Sequence, residues 1–397
     1  MKVILSGGGT AGHIYPALAL ASELRTRGHE VLFVGTPSSM EERLAEDAGL
    51  PFEALDVRPL EQNYRIWRGP QRARYTTLIT SPLSWWRARI PARAILRTFR
   101  PDVVVGFGGY VCVPMVRAAQ QAGVATVLHE QNAVLGKANR QLARRATMLA
   151  LTYETTVSEA HAVVGVDKVT VTGNPVRPEV EKADRAQARA MLGLRESNTM
   201  VLVFGGSGGA RRLSEAFVRI YPQVEAATAA GATAVAEVAV FHATGTRDYA
   251  HIADLLAAQH CPPDTRADTL GRPARYTIEP YFDDMPVKLA AADLVVSRAG
   301  STSVAEFMAR ALPAVLVPFP HATADHQTKN AQALVDAGAA VLVRDDELDS
   351  RWFGEVVAEL AHDPDRRAEM SRAYATLSTA NAREALADLV VGVRKHV

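Results

Sequence analysis

The sequence is poor in the residues that build disulfide scaffolds and membrane spans. Its 397 residues include only two cysteines, Cys112 and Cys261, which stand too far apart in sequence to form a metal-type cluster. A disulfide framework is therefore not expected, and the composition fits a reducing cytosol. No run of 18 apolar residues occurs, which excludes a membrane-spanning helix, and the apolar stretch after Met1 is too short for a signal peptide.

An acidic residue is missing where one kind of cofactor site would need it. The chain opens with an apolar strand, Lys2–Ser6, followed by "GGGTAG" (residues 7–12) and a helix, which matches the G-x-G-x-x-G pattern of dinucleotide-binding proteins. An NAD site also needs a carboxylate after the second strand to hold the ribose diol. Here that strand ends in Gly35-Thr36. We interpret the glycine loop as a phosphate loop without nicotinamide, and an NAD oxidoreductase ranks third among the enzyme hypotheses.

Charge is nearly balanced overall but very uneven along the chain. The formal net charge is +1, yet the segment from Arg58 to Arg100 carries ten arginines and one acid, Glu61, so that it holds +9 and the remaining chain −8. Such an asymmetry indicates an anionic surface or ligand. Apolar side chains, including Trp85 and Trp86, lie among these arginines, as expected of a face that docks on an anionic membrane. A solvated helix with buried tryptophans is the alternative, and no recognition motif supports nucleic acid.

Short apolar strands alternate with amphipathic helices through both halves of the chain. This alternation predicts an α/β protein with parallel, doubly wound sheets. The pattern stops at "GNPVRP" (residues 173–178) and restarts with a strand and the loop "GGSGGA" (residues 205–210), so we expect two domains, at 1–174 and 175–377. The helix at about 378–397 is expected to pack back onto the first domain. Strands are predicted at 2–6, 30–35, 102–106, 125–129, 148–152, 169–172, 200–204, 238–242, 276–278, 294–297, 314–317 and 340–343.

Glycine loops follow three of these strands, at residues 7–12, 106–109 and 205–209. Backbone N–H groups in such loops can approach a phosphate closely, and the following helix N-terminus favours its negative charge. Tight turns alone would also explain a single loop. Because the carboxyl ends of parallel strands meet at one edge of a sheet, where ligands bind in this architecture, we favour the functional interpretation.

Taken together, several stretches resemble one family closely. They occur in order from residue 1 to about 343: "GGTAGH", "GFGGYV", "HEQN", "GNPVR", "GGSGGA", "DDM" after Tyr281-Phe282, "AGSTSVAE" and "DHQTKNA". The sequence resembles the MurG family of peptidoglycan N-acetylglucosaminyltransferases. The resemblance implies two Rossmann-like domains facing across a cleft (the GT-B architecture), with a first domain that binds acceptor and membrane and a second that binds the UDP-sugar.

The same resemblance implies the chemistry. UDP-N-acetylglucosamine would donate its sugar, with inversion, to the C4 hydroxyl of the muramyl sugar of lipid I, giving lipid II and UDP without cofactor or metal. Lipid I is anchored in the bilayer, so the protein is expected at the cytoplasmic face of the cell membrane as a peripheral protein, bound to its anionic surface. Such a reaction needs a base for the acceptor hydroxyl and stabilisation of the departing diphosphate.

His13, at the end of the first glycine loop, is the candidate catalytic base. An imidazole titrates near neutral pH and therefore suits this work. Two alternatives stay open: His13 contacts only acceptor phosphate or positions the loop, or Glu130 of "HEQN" is the base instead.

Substrate-binding roles follow from the remaining motifs. The resemblance implies that Thr10, Ala11 and Gly12 lie against the acceptor diphosphate or donor sugar and that Asn132 binds sugar hydroxyls. Arg177 and Ser207 would contact the UDP diphosphate, Phe282 would pack beside uracil, and Gln327, after the unusual His326, would recognise the sugar. The nucleoside would be covered by one run of residues that ends in the carboxylate expected to accept the ribose hydroxyls: Ser301, Thr302, Ser303, Val304, Ala305 and Glu306.

Plainer explanations compete with some of these roles. Ser303 and Glu306 also match a helix capping box, Phe282 could be ordinary core, and Asp345 and its neighbours read as a solvated loop. The literal D-x-D at Asp363 is predicted to cap a helix rather than to bind metal. Other functions also remain: a different GT-B enzyme, such as a natural-product glycosyltransferase or a UDP-sugar epimerase, and a non-catalytic membrane-bound UDP-sugar sensor.

Overall fold

A computed structural model describes residues 1–57, 88–206, 209–226, 237–259, 275–377 and 381–393. Contacts divide the chain into two compact units, the first comprising Met1–Arg177 with Ala380–Val397 and the second Pro178–Thr379. Much of the arginine-rich segment, including Trp85 and Trp86, lies outside the described residues, as does Ser207.

The first unit is built on a seven-stranded parallel sheet in the order β3-β2-β1-β4-β5-β6-β7. The inner strands are rich in Val and Leu and are buried on both faces, as helix-covered parallel sheets require, whereas the two edge strands are partly exposed. The strands are β1 Lys2–Ser6, β2 Glu30–Gly35, β3 Phe52–Ala54, β4 Val103–Gly106, β5 Ala125–Glu130, β6 Met148–Leu151 and β7 Val169–Val171. The helices are α1 Ala11–Thr26, α2 Met40–Asp47, α3 (described over 88–99), α4 Gly109–Gln121, α5 Lys137–Ala143 and α6 Val157–Val164.

The second unit repeats this design with a six-stranded parallel sheet in the order β10-β9-β8-β11-β12-β13. The strands are β8 Thr199–Phe204, β9 Val238–Ala243, β10 Tyr276–Glu279, β11 Leu294–Ser297, β12 Ala314–Leu316 and β13 Ala340–Leu342. The helices are α7 Pro178–Lys182, α8 Arg185–Met191, α9 Arg211–Ala226, α10 Tyr249–Ala258, α11 Met285–Ala291, α12 Ser301–Arg310, α13 His326–Asp336, α14 Arg351–His362 and α15 Pro364–Ala373.

These sheets confirm the doubly wound α/β class expected from the alternating pattern. All twelve predicted strands are present, each within one residue at either end. The short edge strand β3 was missed, because three residues carry too little periodicity to be recognised.

The last helix, α16 (Ala382–Val393), packs on α1 in the first unit. The apolar face of α16 belongs to the same hydrophobic core as Leu20 and Leu24 of α1. Ion pairs flank that contact, because Glu23 of α1 meets both Arg27 and Arg383. Arg383 is buried, whereas Arg27 lies at the surface. The core residues that α16 contributes are Leu386, Ala387, Val390 and Val393.

Candidate active site

The order of strands in the first sheet reverses between β1 and β4, and the two glycine loops meet at this point. Such a switch point is where ligands bind in open α/β sheets. Gly109 adopts φ +74°, and a Cβ added to it would lie 2.6 Å from the carbonyl oxygen of Gly8. Only glycine tolerates both the left-handed backbone and this approach. The second loop therefore presses directly against the first.

His13 lies in the first turn of α1, against both loops. Its Nδ1 is 3.0 Å from the carbonyl oxygen of Gly8 and 3.1 Å from Thr10 Oγ1. A carbonyl oxygen only accepts, so Nδ1 carries the proton and the lone pair of the neutral ring resides on Nε2. A Cβ at Gly108 would lie 3.4 Å from Nε2, so the second loop leaves the ring little room. This arrangement fixes the tautomer and orientation that a base acting through Nε2 requires.

We expect Gly109→Ala to disrupt this edge of the sheet. The added methyl group meets a backbone oxygen, which cannot move away without shifting the carbonyl that orients His13. The free energy of unfolding should fall by roughly 2–4 kcal/mol, more than the 1–2 kcal/mol typical of left-handed strain alone. Thermal or urea unfolding measures this. Gly123→Ala is the matched control, because Gly123 also has φ +74° but has open space at its Cβ position; equal losses in both variants would contradict the expectation.

The three residues before His13, which are predicted to contact substrate, lie at the start of α1. Thr10 occupies the N-cap position in an extended conformation and is exposed, while Ala11 and Gly12 are the first helical residues and are partly exposed. Their backbone N–H groups belong to the helix N-terminus, which attracts anions. The position therefore suits the phosphate contacts that the sequence suggests for these residues.

Glu130 ends β5 and is buried with both carboxylate oxygens in use. Oε1 accepts from the backbone N–H and the side-chain amide of Asn132, at 3.1 and 3.2 Å. Oε2 accepts from the N–H of Gly136 and from Asn139 Nδ2, each at 2.9 Å. Burial raises the pKa of Glu130, while these four donors oppose that shift. A carboxylate so occupied holds the loop and orients Asn132, and it is poorly placed to take a proton from a substrate.

Arg177 is the last residue of the range Met1–Arg177 in the first unit. Its guanidinium lies over the ring of Tyr15, 4.2 Å from the ring centroid. Tyr15 stands two residues after His13 on α1. The contact is a cation–π interaction, which holds the arginine beside the N-terminal turns of α1, next to the glycine loop. The planar guanidinium is thereby held near the predicted phosphate-binding end of the helix.

Glu41 is a residue that sequence reasoning missed at this edge. It lies on α2 and is buried, and its carboxylate accepts hydrogen bonds from the N–H and hydroxyl of Thr36. A Cβ on Gly8 would lie 2.5 Å from its Oε1. An acid thus does reach the end of β2, but it packs under the first loop and is not available to a ribose diol. The sequence pattern does not indicate this contact, because Glu41 lies six residues after the end of β2, in the first turn of α2.

The second sheet reverses between β8 and β11, and its glycine loop follows β8. Gly209 has φ +72°, and Gly245, after β9, lies so near that its Cβ would be 3.0 Å from the Gly209 Cα. Helix α9 starts immediately after this loop. The arrangement is again a glycine loop at a helix N-terminus, the kind of site that binds phosphate.

Helix α12 follows β11 at the same edge and carries the predicted nucleoside-binding run. It starts at Ser301 with Gly300 as N-cap and without a side-chain cap. The capping box expected of Ser303 and Glu306 is therefore wrong, because Ser303 is already the third helical residue. Glu306, in the second turn, is buried at 4% exposure. Val304 is fully buried and Ala305 nearly so, whereas Thr302 and Ser303 are partly exposed and could meet a ligand.

Phe282 is buried in the second unit, as the core-residue alternative expects. Phe282 is 0% exposed, and Lys288 Nζ lies 5.0 Å from its ring centroid. An aromatic ring covered in this way contributes to the core and has no surface to offer a base. The ring of its neighbour Tyr281 is exposed instead.

Gln327 lies near the start of α13, and its amide orientation is fixed. Its Oε1 accepts from the backbone N–H of Phe319 at 2.9 Å. The amide NH₂ therefore points away from Phe319 and can donate to an oxygen of a sugar. Beside it, His326 Nδ1 lies 2.8 Å from the carbonyl oxygen of Thr323, so the proton of a neutral ring is on Nδ1 there too.

The two acidic clusters set aside in the sequence have different roles. Asp363 caps α15, accepting from the N–H of Arg366 at 2.8 Å, which confirms the capping expectation. The prediction that Asp345 belongs to a solvated loop is wrong. Its carboxylate is largely buried and pairs with Arg298 and with Arg212. Sequence alone did not reveal these partners, because they lie 47 and 133 residues away.

Two models of glycosyltransferase family 28 match the chain, the N-terminal domain at residues 3–151 and the C-terminal domain at residues 200–388. Similar proteins from Desulforudis audaxviator (39% identical, 98% of each chain) and Halothermothrix orenii (36% identical, 100% of each chain) are both UDP-N-acetylglucosamine–N-acetylmuramyl-(pentapeptide) pyrophosphoryl-undecaprenol N-acetylglucosamine transferases. The chain belongs to the MurG family. It is therefore a hexosyltransferase of glycosyltransferase family 28, which settles the choice between enzyme and non-catalytic sensor.

Solved structures agree with this membership. The crystal structure of Acinetobacter baumannii MurG covers 98% of the chain and 99% of its own length at 27% identity, with a TM-score of 0.70. The glycosyltransferase of kitacinnamycin (15% identity, TM-score 0.66) and a putative UDP-N-acetylglucosamine 2-epimerase from Listeria monocytogenes (14%, 0.66) share the fold alone. The alternative GT-B classes thus have the same architecture, and full-length identity favours the MurG family over them.

Proposed function

We propose that this protein transfers N-acetylglucosamine from UDP-N-acetylglucosamine to the C4 hydroxyl of the muramyl sugar of lipid I, giving lipid II and UDP. The relatives, matched over their full length, carry that activity in their names. The observation that carries the proposal is the state of His13, whose Nδ1 proton is held by Gly8 so that Nε2 can accept one.

In this mechanism His13 Nε2 takes the proton of the acceptor hydroxyl as its oxygen attacks C1 of the donor sugar. The new C1–O bond forms on the face opposite the breaking C1–O bond to UDP, so configuration inverts in one step. Glu130 acts by holding Asn132 and the loop up to Gly136, so that Asn132 can meet the acceptor sugar. The dipole and the first N–H groups of α9 would stabilise the departing diphosphate. The family resemblance also gives Arg177 a diphosphate contact, for which a planar guanidinium is suited.

Release of UDP in the presence of a lipid I analogue tests the proposal. We expect UDP formation to require both the analogue and UDP-N-acetylglucosamine, with UDP-N-acetylgalactosamine much slower. Release from the donor without acceptor, or transfer to an unrelated aglycone at equal rate, would favour a different activity.

We also infer that the arginine-rich segment docks the protein on an anionic membrane surface. The described part of it, α3, turns Ala88, Ala92 and Leu96 inward. Ile90 is 70% exposed between Arg89 and Arg93, both of which donate to Gln121 Oε1, at 2.8 and 3.2 Å.

Further exposed basic residues support this docking face. Gln120, next to Gln121 on α4, donates to the carbonyl of Leu142 at 3.0 Å, which joins the end of α4 to the end of α5. α4 thus contacts α3 through Gln121 and contacts α5 in turn. Exposed arginines lie on α4, on α5 and just after α5: Arg117, Arg140, Arg144 and Arg145. An exposed isoleucine among basic side chains is what a peripheral membrane contact needs.

We expect Arg93→Glu/Arg97→Glu and Ile90→Ser each to weaken binding to liposomes that contain anionic lipid. Each basic residue near such a surface contributes about 1 kcal/mol, so reversing two charges should reduce partitioning by at least ~10-fold. Co-sedimentation at low and high salt measures this, and salt should weaken wild-type binding. Arg351→Glu/Arg366→Glu makes the same charge change on α14 and α15 in the second unit and should bind like wild type. Equal loss in that control would show that net charge, and not this face, governs binding.

A further inference from the structure

Arg298 stands at the end of β11 and is buried, at 7% exposure, with its guanidinium turned towards backbone. Its Nη1 donates to the carbonyl oxygens of Val317 and Pro318, at 3.2 and 3.1 Å. These two carbonyls directly follow β12, which ends at Leu316. A buried guanidinium is costly unless it is paired and hydrogen-bonded. The side chain therefore ties the exit of β12 to the start of the segment that leads into α12.

Phe319, the next residue after Pro318, fixes the side chain of Gln327. Phe319 donates its N–H to Gln327 Oε1 at 2.9 Å, and its ring centroid lies 5.7 Å from the Arg298 guanidinium. A shift of the backbone at Pro318 would move this N–H and rotate the amide of Gln327. A second tie supports the same segment, because Asn330 Nδ2 donates to the carbonyl of Ala299 at 3.2 Å.

Asp345 balances the charge of Arg298 and extends the connection to the glycine loop. Its Oδ1 lies 2.7 Å from Arg298 Nη1, an ion pair rather than a well-aligned hydrogen bond, since that nitrogen already faces two carbonyls. Its Oδ2 lies 3.1 Å from Nε of Arg212, the second residue of α9. Three segments are therefore linked through one buried carboxylate: the helix after the glycine loop, the entry to α12 and the exit of β12.

We propose that Arg298 and Asp345 are positioning residues for the donor sugar, acting through the Pro318–Phe319 backbone on the amide of Gln327. The proposal rests on the assignment of UDP-N-acetylglucosamine as donor. It predicts that the pair controls how well the sugar is recognised, whereas the nucleotide is bound by other groups. Loss of the pair should therefore affect UDP-N-acetylglucosamine more than UDP.

Calorimetric affinities for UDP-N-acetylglucosamine and for UDP test this on Arg298→Lys, Arg298→Met and Asp345→Asn. We expect affinity for the sugar nucleotide to fall about 10-fold, as for one misplaced hydrogen bond, with UDP affinity changed less than about 2-fold. Lysine should rescue only in part, because it lacks the planar fork. Asp346→Asn is the matched control: Asp346 is 73% exposed and pairs only with exposed Arg344 in the described part of the chain.

A double-mutant cycle with Gln327→Ala separates positioning from general stability. If Arg298 acts through Gln327, Arg298→Lys should cost little further sugar selectivity once Gln327 is alanine. Additive losses, or equal losses of UDP and sugar-nucleotide affinity, would overturn the proposal. Arg298→Lys and Asp345→Asn keep the test decisive if Arg298→Met fails to fold. A wild-type protein that binds UDP but shows no preference for its N-acetylglucosamine ester would instead overturn the donor assignment itself.

Discussion

His13→Ala should lower kcat by roughly 10²–10⁴-fold while UDP affinity stays within about 2-fold of wild type. A general base acts in the transition state, so its loss appears in kcat and kcat/KM alike and not in ground-state binding of nucleotide. The tautomer fixed by Gly8 makes this prediction specific to Nε2. Steady-state kinetics with a lipid I analogue, together with calorimetry for UDP, provides both measurements.

Two further variants make the test of His13 discriminating. Glu130→Gln retains the shape of that side chain but can accept only two of its four hydrogen bonds. It should still lose less activity than His13→Ala, since we assign Glu130 to holding Asn132. His161→Ala, on α6, removes a histidine outside the glycine loops and should behave as wild type. If His13→Ala kept most of its kcat and Glu130→Gln lost it, the two roles would have to be exchanged.

Glu306→Ala should weaken binding of both UDP and UDP-N-acetylglucosamine by about 10²-fold or more. A carboxylate that accepts both ribose hydroxyls makes two charge-assisted hydrogen bonds, each contributing about 1.5–3 kcal/mol. Because Glu306 lies in the second turn of α12 and does not cap it, the loss should exceed any effect on folding. Calorimetry with UDP and with uracil measures the effect, and uracil alone should be indifferent to the change.

Ser303→Ala is the companion variant for Glu306. A capping serine would cost about 1 kcal/mol of stability when replaced, whereas a helical serine in the third position should cost much less. We expect unchanged thermal stability in Ser303→Ala. Glu306→Ala with normal UDP affinity and a lowered melting temperature would refute the ribose assignment.

The sequence predicted the sheets well because buried parallel strands carry an unmistakable apolar run. β1 and β8 were placed within one residue for this reason, and the glycine loops after them could be located from residue type alone. The short edge strand β3 has no such run. The base candidate His13 was visible because it adjoins a loop motif, but its tautomer depends on a carbonyl whose direction only the fold defines.

The failures share a physical cause, which is that they concern partners distant in sequence. The pairing of Asp345 depends on Arg298, which lies 47 residues earlier in a different βα unit. Likewise Glu41 reaches the first glycine loop only because α2 turns back towards β1. Local pattern specifies which residues are apolar or able to bond, but tertiary packing decides which of them meet.

The return of α16 to the first unit has a consequence for biosynthesis on the ribosome. The face of α1 formed by Leu20, Leu24 and their neighbours is completed by Leu386 and Val390, which are translated about 200 residues after the rest of that unit. Until then this face lacks the part of its cover that α16 supplies, while Pro178–Thr379 contains all the strands of its own sheet and can fold as soon as it emerges. The N-terminal half of the polypeptide is thus the later of the two to reach its final packing. In the interval the nascent chain exposes apolar surface on α1, which is the kind of surface that holdase chaperones bind.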